Sequence, residues 1–128
     1  MPFKLNEIYV VKAEKILGAR LPECYRLAMM NNNGGEVIAV DDDWLIHPIF
    51  DQTDRKRIAR ICNHIISVTK SMSGWIGWPS NALAIAHNGS GDALIFLQNG
   101  TEFSPEVYLW NHENGEVAIV AEQFEDIL

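Results

Sequence analysis

From Ser71 to Leu128 the sequence contains no lysine and no arginine, yet it carries eight acids: Asp92, Glu102, Glu106, Glu113, Glu116, Glu122, Glu125 and Asp126. All ten basic residues lie between Lys4 and Lys70, so the later part holds −8 and the earlier part +1 of a total of −7. A protein that tracks phosphates gains affinity by releasing counterions with Lys and Arg, and this charge distribution argues against a nucleic-acid partner. The converse expectation is a basic protein partner.

Cysteine is scarce too. Cys24 and Cys62 show neither a CxxC nor a Cys/His finger spacing, which argues against a disulfide framework or a zinc finger. Long apolar runs are missing: Lys4, Glu7 and Lys12 interrupt the opening residues, which therefore lack the uncharged core of a signal peptide, and a cytoplasmic location is expected. Residues 71 to 91 are free of Asp, Glu, Lys and Arg, but Gly74, Gly77, Pro79, Gly89 and Gly91 break them up, so they do not read as a membrane span. What is present is the mix of one domain: 128 residues, 48% hydrophobic and 21% charged. Such a chain exposes roughly 6,800 Å² when folded and needs no staples.

Asn6 can cap a first helix with a Tyr9, Ala13, Ile16, Leu17 face, and Gly18 supplies its left-handed stop. Pro22 fits the first position of a second helix carrying Tyr25, Leu27 and Met30, which ends in Asn31 to Gly35. Strands are expected over Glu36 to Val40 and Trp44 to Phe50, around an acidic turn Asp41-Asp42-Asp43, with Pro48 marking an edge or end. The spacing of Ile58, Ile61, Cys62, Ile65, Ile66 and Thr69 predicts a third helix from Asp54 to about Lys70, with Arg55, Lys56, Arg57 and Arg60 in solvent. Beyond the Gly- and Trp-rich connection the period shortens toward 2. Strands Ala82 to His87, Asp92 to Gln98, Glu106 to Asn111 and Glu116 to Ala121 are separated by Asn-Gly turn chemistry and so should pair antiparallel. A closing turn brings Phe124 and Ile127 onto the sheet. Helices first and hairpins last is an α+β pattern, with a mixed or mainly antiparallel sheet of about five to six strands.

Several constellations invite a chemical reading. Asn88-Gly89-Ser90-Gly91-Asp92 has the look of a phosphate cradle, but a strand follows instead of a helix and no Lys accompanies it, so it reads as a tight hairpin. His87, Asp92, His112 and Glu113 are of ligand type and fall near strand ends, where scattered residues of this kind usually serve turns; no metal or other cofactor is expected. His47 and His64 read as structural. No nucleophile elbow or paired-acid spacing marks a catalytic centre, and no catalytic residue is assigned. Of the four tryptophans, Trp44 and Trp110 suit a core, while Trp75 and Trp78 are candidate exposed anchors for a partner. Asp41, Asp42, Asp43, Glu102, Glu106 and Glu113 are the candidate acids for steering that partner. Among glycines, Gly34 and Gly91 are expected to need positive φ and to tolerate valine far less than Gly77.

Taken in order, these residues resemble the SUKH superfamily, whose namesakes include yeast regulators of cell-wall glucan synthesis. The resemblance rests on Ala13 to Gly18 with Leu21, Pro22 and Tyr25, on Asn33-Gly34-Gly35, and on Pro79 with Leu83 to Ala86. It continues through Asn88-Gly89-Ser90-Gly91-Asp92, the run Val107 to Trp110 with His112 and Glu113, and Glu122-Gln123-Phe124. It implies an α+β fold without catalytic residues and, for compact bacterial members, an immunity protein that neutralises a toxin domain, often a nuclease. The alternative it implies is a regulatory interaction domain; a small metal-dependent enzyme is the remaining reading from the residues.

Overall fold

The computed structural model describes residues 4–50 and 64–128. Helix α1 (Glu7–Leu17) starts where Asn6 Oδ1 accepts the Ile8 N–H at 3.1 Å and stops at Gly18, φ 71°. It buries Val10 and Ala13, while Ile16 of the expected face is 69% exposed. Helix α2 (Glu23–Asn31) follows with Pro22 at its cap, one place earlier than expected, and turns Tyr25, Arg26 and Met29 inward and Leu27 outward. The two helices are joined through Arg26, which is 8% exposed. It reaches Glu7 and Glu23 at 3.2 Å and Glu14 at 3.5 Å, and Glu14 in turn accepts the Leu21 N–H at 2.7 Å.

Strands β1 (Gly35–Ala39) and β2 (Asp42–Ile46) form a hairpin tighter than expected. Its loop is Val40-Asp41 alone, with φ 52° and 56°, so Asp42 and Asp43 belong to β2. Strand β2 stops at Ile46 because the chain turns into Pro48, which cannot donate to a ladder. The buried Asn33 replaces the lost pairing: its side chain donates to the Ile49 carbonyl and accepts the Ile49 N–H, both at 2.8 Å.

Helix α3 (Ile65–Met72) is the last part of the expected third helix. Ile65 is buried and Ile66 and Thr69 half-buried, whereas Ile58, Ile61, Cys62 and the four bases Arg55 to Arg60 lie outside the described residues. Strands β3 (Ala82–His87), β4 (Ala93–Asn99), β5 (Glu102–Phe103), β6 (Val107–Trp110) and β7 (Val117–Ala121) complete an antiparallel sheet ordered β1-β2-β3-β4-β6-β7. Short β5 pairs with β4 beyond that path, which makes seven strands where five to six were expected. Two residues are too few to show a period. The 3-10 turn Phe124–Ile127 (η1) closes the chain with both apolar residues buried, as expected.

The sheet is covered on both faces at its centre. One face packs Leu83, Ile85, Leu94 and Phe96 against α1, α2 and η1, with Tyr25 standing edge-on to Phe96 and Phe124 at 5.0 Å. The other packs Ala84, Ala93, Ile95 and Trp110 under Met72, Val68 and Trp78. Burial on both sides explains why Ala82 to Ala86 and Ala93 to Phe96 are continuous apolar runs where one-sided strands would alternate. A register shift between Ala84 and Ala86 interrupts the β3 to β4 ladder, and the Thr69 hydroxyl of α3 takes the Ala84 N–H at 2.8 Å. No helix among the described residues is long and apolar enough to cross a membrane.

Candidate interaction surface

The chemistry-bearing residues gather at one end of the strands. Leu45 of β2 lies beside His87, His87 beside Ala93, Ala93 beside Trp110, and Trp110 beside Val117. This row brings the β3–β4 turn, the β6–β7 loop and the tip of the β1–β2 hairpin to a common rim. Asn88 is its centre and is buried. Its Oδ1 accepts the N–H groups of Ser90 and Asp92 at 3.0 and 3.1 Å, and its Nδ2 donates to Asp42 at 2.8 Å. Asn88-Gly89-Ser90-Gly91-Asp92 is therefore the expected hairpin, and it also clamps a third strand.

Asp92 extends the clamp. Its Oδ1 accepts the His112 backbone N–H at 3.1 Å and lies 2.6 Å from His112 Nδ1. Desolvation alone would raise the carboxyl's pKa, but the His112 and Asn88 hydrogen bonds outweigh it and hold the pKa below the ordinary carboxylate value. His47 and His87 stack with centroids 4.7 Å apart and an Nε2 to Nδ1 distance of 3.2 Å. One ring must be the donor and the other the acceptor. Burial, and then the neighbouring His87, push His47 down from 6.5 to about 4. Because the folded protein refuses a proton the unfolded chain would take, stability falls as the pH drops through the window from 6.5 to about 4. The loss is on the order of 3 kcal/mol, and His47→Gln should remove most of it in urea unfolding series across that window.

Over the rim lies the Gly/Trp connection. Trp110 is 1% exposed and donates through Nε1 to the Gly77 carbonyl at 3.0 Å; Trp78 meets it edge-on at 5.0 Å and Trp75 at 5.9 Å. Trp75 stays 48% exposed, Ile76 96% exposed, and Trp78 is half-buried. An open cleft of about 500 Å³ runs between α3 and the rim, lined by Val68, Met72, Trp75, His47, His87 and Asp92 among others. Gly77 overturns the expected ranking of glycines: its φ is +83°, and a Cβ there would lie 2.9 Å from the Gly115 Cα. Gly34 and Gly91 have positive φ as expected, but the nearest atoms to a Cβ are at 3.5 and 3.3 Å, the latter belonging to the His112 side chain.

The candidate steering acids do not share one surface. Asp41, Asp42, Asp43 and Glu113 are exposed and belong to the rim end, although Asp42 is engaged by Asn88. Glu102 and Glu106 follow β4 at the other end of the strands, where the Arg20 backbone bridges to β5. Seven residues of β4 separate the ends by about 20 Å. His87, Asp92, His112 and Glu113 do not converge either: no group of three His, Cys, Asp or Glu among the described residues is placed to hold a metal ion.

An antiparallel sheet layered between helices, with its polar residues consumed by turns at one rim, defines a small α+β domain of the SUKH kind. The profile of the SMI1 / KNR4 family (SUKH-1) matches residues 4–128, and the chain belongs to that family. A search of curated proteins gave no match.

Proposed function

We propose that the protein is a non-enzymatic, cytoplasmic binding domain that neutralises a basic toxin domain, as immunity proteins do. The observation that carries this reading is the charge of the rim end: Asp41 and Asp43 of the hairpin and Glu113 and Glu116 of the β6–β7 loop are exposed, Gly115 of that loop touches Gly77 in the connection that carries the exposed Trp75 and Ile76, and no Lys or Arg follows Lys70. A toxin that acts on nucleic acid must present a basic surface to its substrate, and an acidic inhibitor is steered to that surface. Family membership supports an interaction role, and the exposed Trp75 indole supplies the apolar anchor that a steered encounter needs to last.

Asp41→Asn with Asp43→Asn tests the steering. Neither side chain holds the clamp that Asp42 makes, so the fold should be untouched. Surface plasmon resonance against a toxic domain identified in the neighbouring gene should show association slowed about threefold or more, with a flatter salt dependence and little change in dissociation. Unchanged association would remove the hairpin from the encounter surface, and a neighbouring gene without a toxic domain would favour the regulatory role.

A further inference from the structure

We infer that the two sheet edges left free among the described residues form a docking groove for an extended, basic segment of another protein, taken up by strand addition. Strand β7 reads Val-Ala-Ile-Val-Ala, without a charge or a proline, and Val117, Ala118 and Ile119 are exposed. Natural edges are usually blunted by charges, prolines or a covering loop, because an unprotected apolar edge recruits strands. Among the described residues β7 pairs only with β6 and β1 only with β2. They stand at opposite ends of the strand order, yet both line one groove of about 610 Å³: Ile38, Ala39 and Val40 from the β1 hairpin, and Ala118 to Ala121 from β7. Ile38 is 76% exposed, Val40 58% and Ile119 60%, so folding alone gains little from these side chains.

Backbone groups are free there as well. Ala39 and Asp42 flank the two-residue loop and bond to each other, so Glu36 and Ile38 turn their N–H and C=O groups toward the open edge. On the other side Asn111 N–H donates to the Glu116 carbonyl at 2.9 Å, and the same alternation turns Val117 and Ile119 outward. Val40 adds a separate observation. Its φ of 52° lies in the left-handed region, which suits Gly, Asn or Asp and strains a β-branched residue. The two-residue turn sets this φ, as it does the 56° of Asp41, and the choice of an exposed valine there adds apolar surface to the groove.

Charge decides the occupant. Asp126 lines the groove; Glu36 is on β1, Asp43 pairs with Ile38, Asp41 follows Val40, Glu116 and Glu122 bracket β7, and no Lys or Arg lies on β1, β2, β6, β7 or η1. A second copy would bring acids against acids. A strand alternating Lys or Arg with apolar residues would lay its apolar set on Ile38, Val40 and Ile119 and reach the surrounding acids with its basic set. The groove has a different lining from the Trp75 cleft, although Asp41, Asp43 and Glu116 belong to the acidic rim as well; a peptide test that reads the edge amides and needs no toxin keeps its outcome separate from the toxin reading.

The test is amide hydrogen exchange on the full chain with a Lys-Val alternating peptide, and with a control in which the same residues form two blocks. Slowed exchange at Ile38 and Ile119 with the alternating peptide alone is the expected result. Ile38→Lys with Ile119→Lys should weaken binding about tenfold or more, by removing the anchors and the complementary charge. Equal binding of the block peptide, binding without protection of these amides, or no binding would each overturn the proposal. So would a dimer in sedimentation whose own contact already protects them.

Discussion

Gly77→Ala is expected to destabilise the protein by about 3 to 5 kcal/mol, a loss normally associated with the deletion of a large core side chain. Two effects add. A φ of +83° is strained for any L side chain, by about 1 to 2 kcal/mol, and the new Cβ would lie 2.9 Å from a backbone atom of Gly115. The connection must then lift off the β6–β7 loop and take the Gly77 carbonyl away from Trp110 Nε1, leaving a buried indole N–H without its partner. Gly89→Ala is the control, because nothing lies within 4 Å of its Cβ position and its φ is not in the left-handed range. It should change stability by no more than about 0.5 kcal/mol. Gly91→Ala should fall between them, since the obstacle there is a His112 ring that can move at the expense of its contact with Asp92. Urea unfolding of the three variants gives the order directly, and equal midpoints for Gly77→Ala and Gly89→Ala would refute the packed contact.

Arg26→Met should cost about 3 to 4 kcal/mol although methionine fills much the same volume. The reason is Glu14, whose side chain is only 14% exposed and which loses its counter-charge when the guanidinium goes. Glu7 and Glu23 also face Arg26, but their side chains are 60% exposed and water screens them, so their share is small. Adding Glu14→Gln removes the stranded charge while keeping an acceptor for the Leu21 N–H, and should recover about half of the loss or more. A double-mutant cycle by urea unfolding measures that recovery, and strictly additive effects would mean that Glu14 and Arg26 are not coupled.

These two sites also mark where sequence reading stops. Local chemistry was legible: Asn6 and Gly18 bracket α1, the Asn-Gly pairs turn the hairpins, and Phe124 with Ile127 closes the chain, because each depends on residues a few places apart. Contacts across the chain were not. Gly77 meets Gly115, Arg26 meets Glu7, and His47 stacks on His87 forty residues later, and no spacing rule announces such a meeting. The hairpin tip was misread for a different reason: three consecutive aspartates look like a loop, whereas the chain turns on Val40 and Asp41 and returns two of the aspartates to β2. Of the candidate surface, the acidity and the exposed Trp75 were readable. That Glu102 and Glu106 lie at the far end required the strand directions, and the β7 edge was visible only as the apolar run Val117 to Ala121, whose exposure depends on having no further strand beside it among the described residues.

The central claim is that this domain binds and silences a basic toxin. The direct measurement is to identify the protein encoded beside its gene, titrate the purified chain into that protein's purified C-terminal domain, and record heat and toxic activity on the same samples. A stoichiometric complex whose formation abolishes activity, and whose affinity drops as salt rises, is the predicted result. Two proteins that ignore each other, or that associate while the toxin stays fully active, would contradict it.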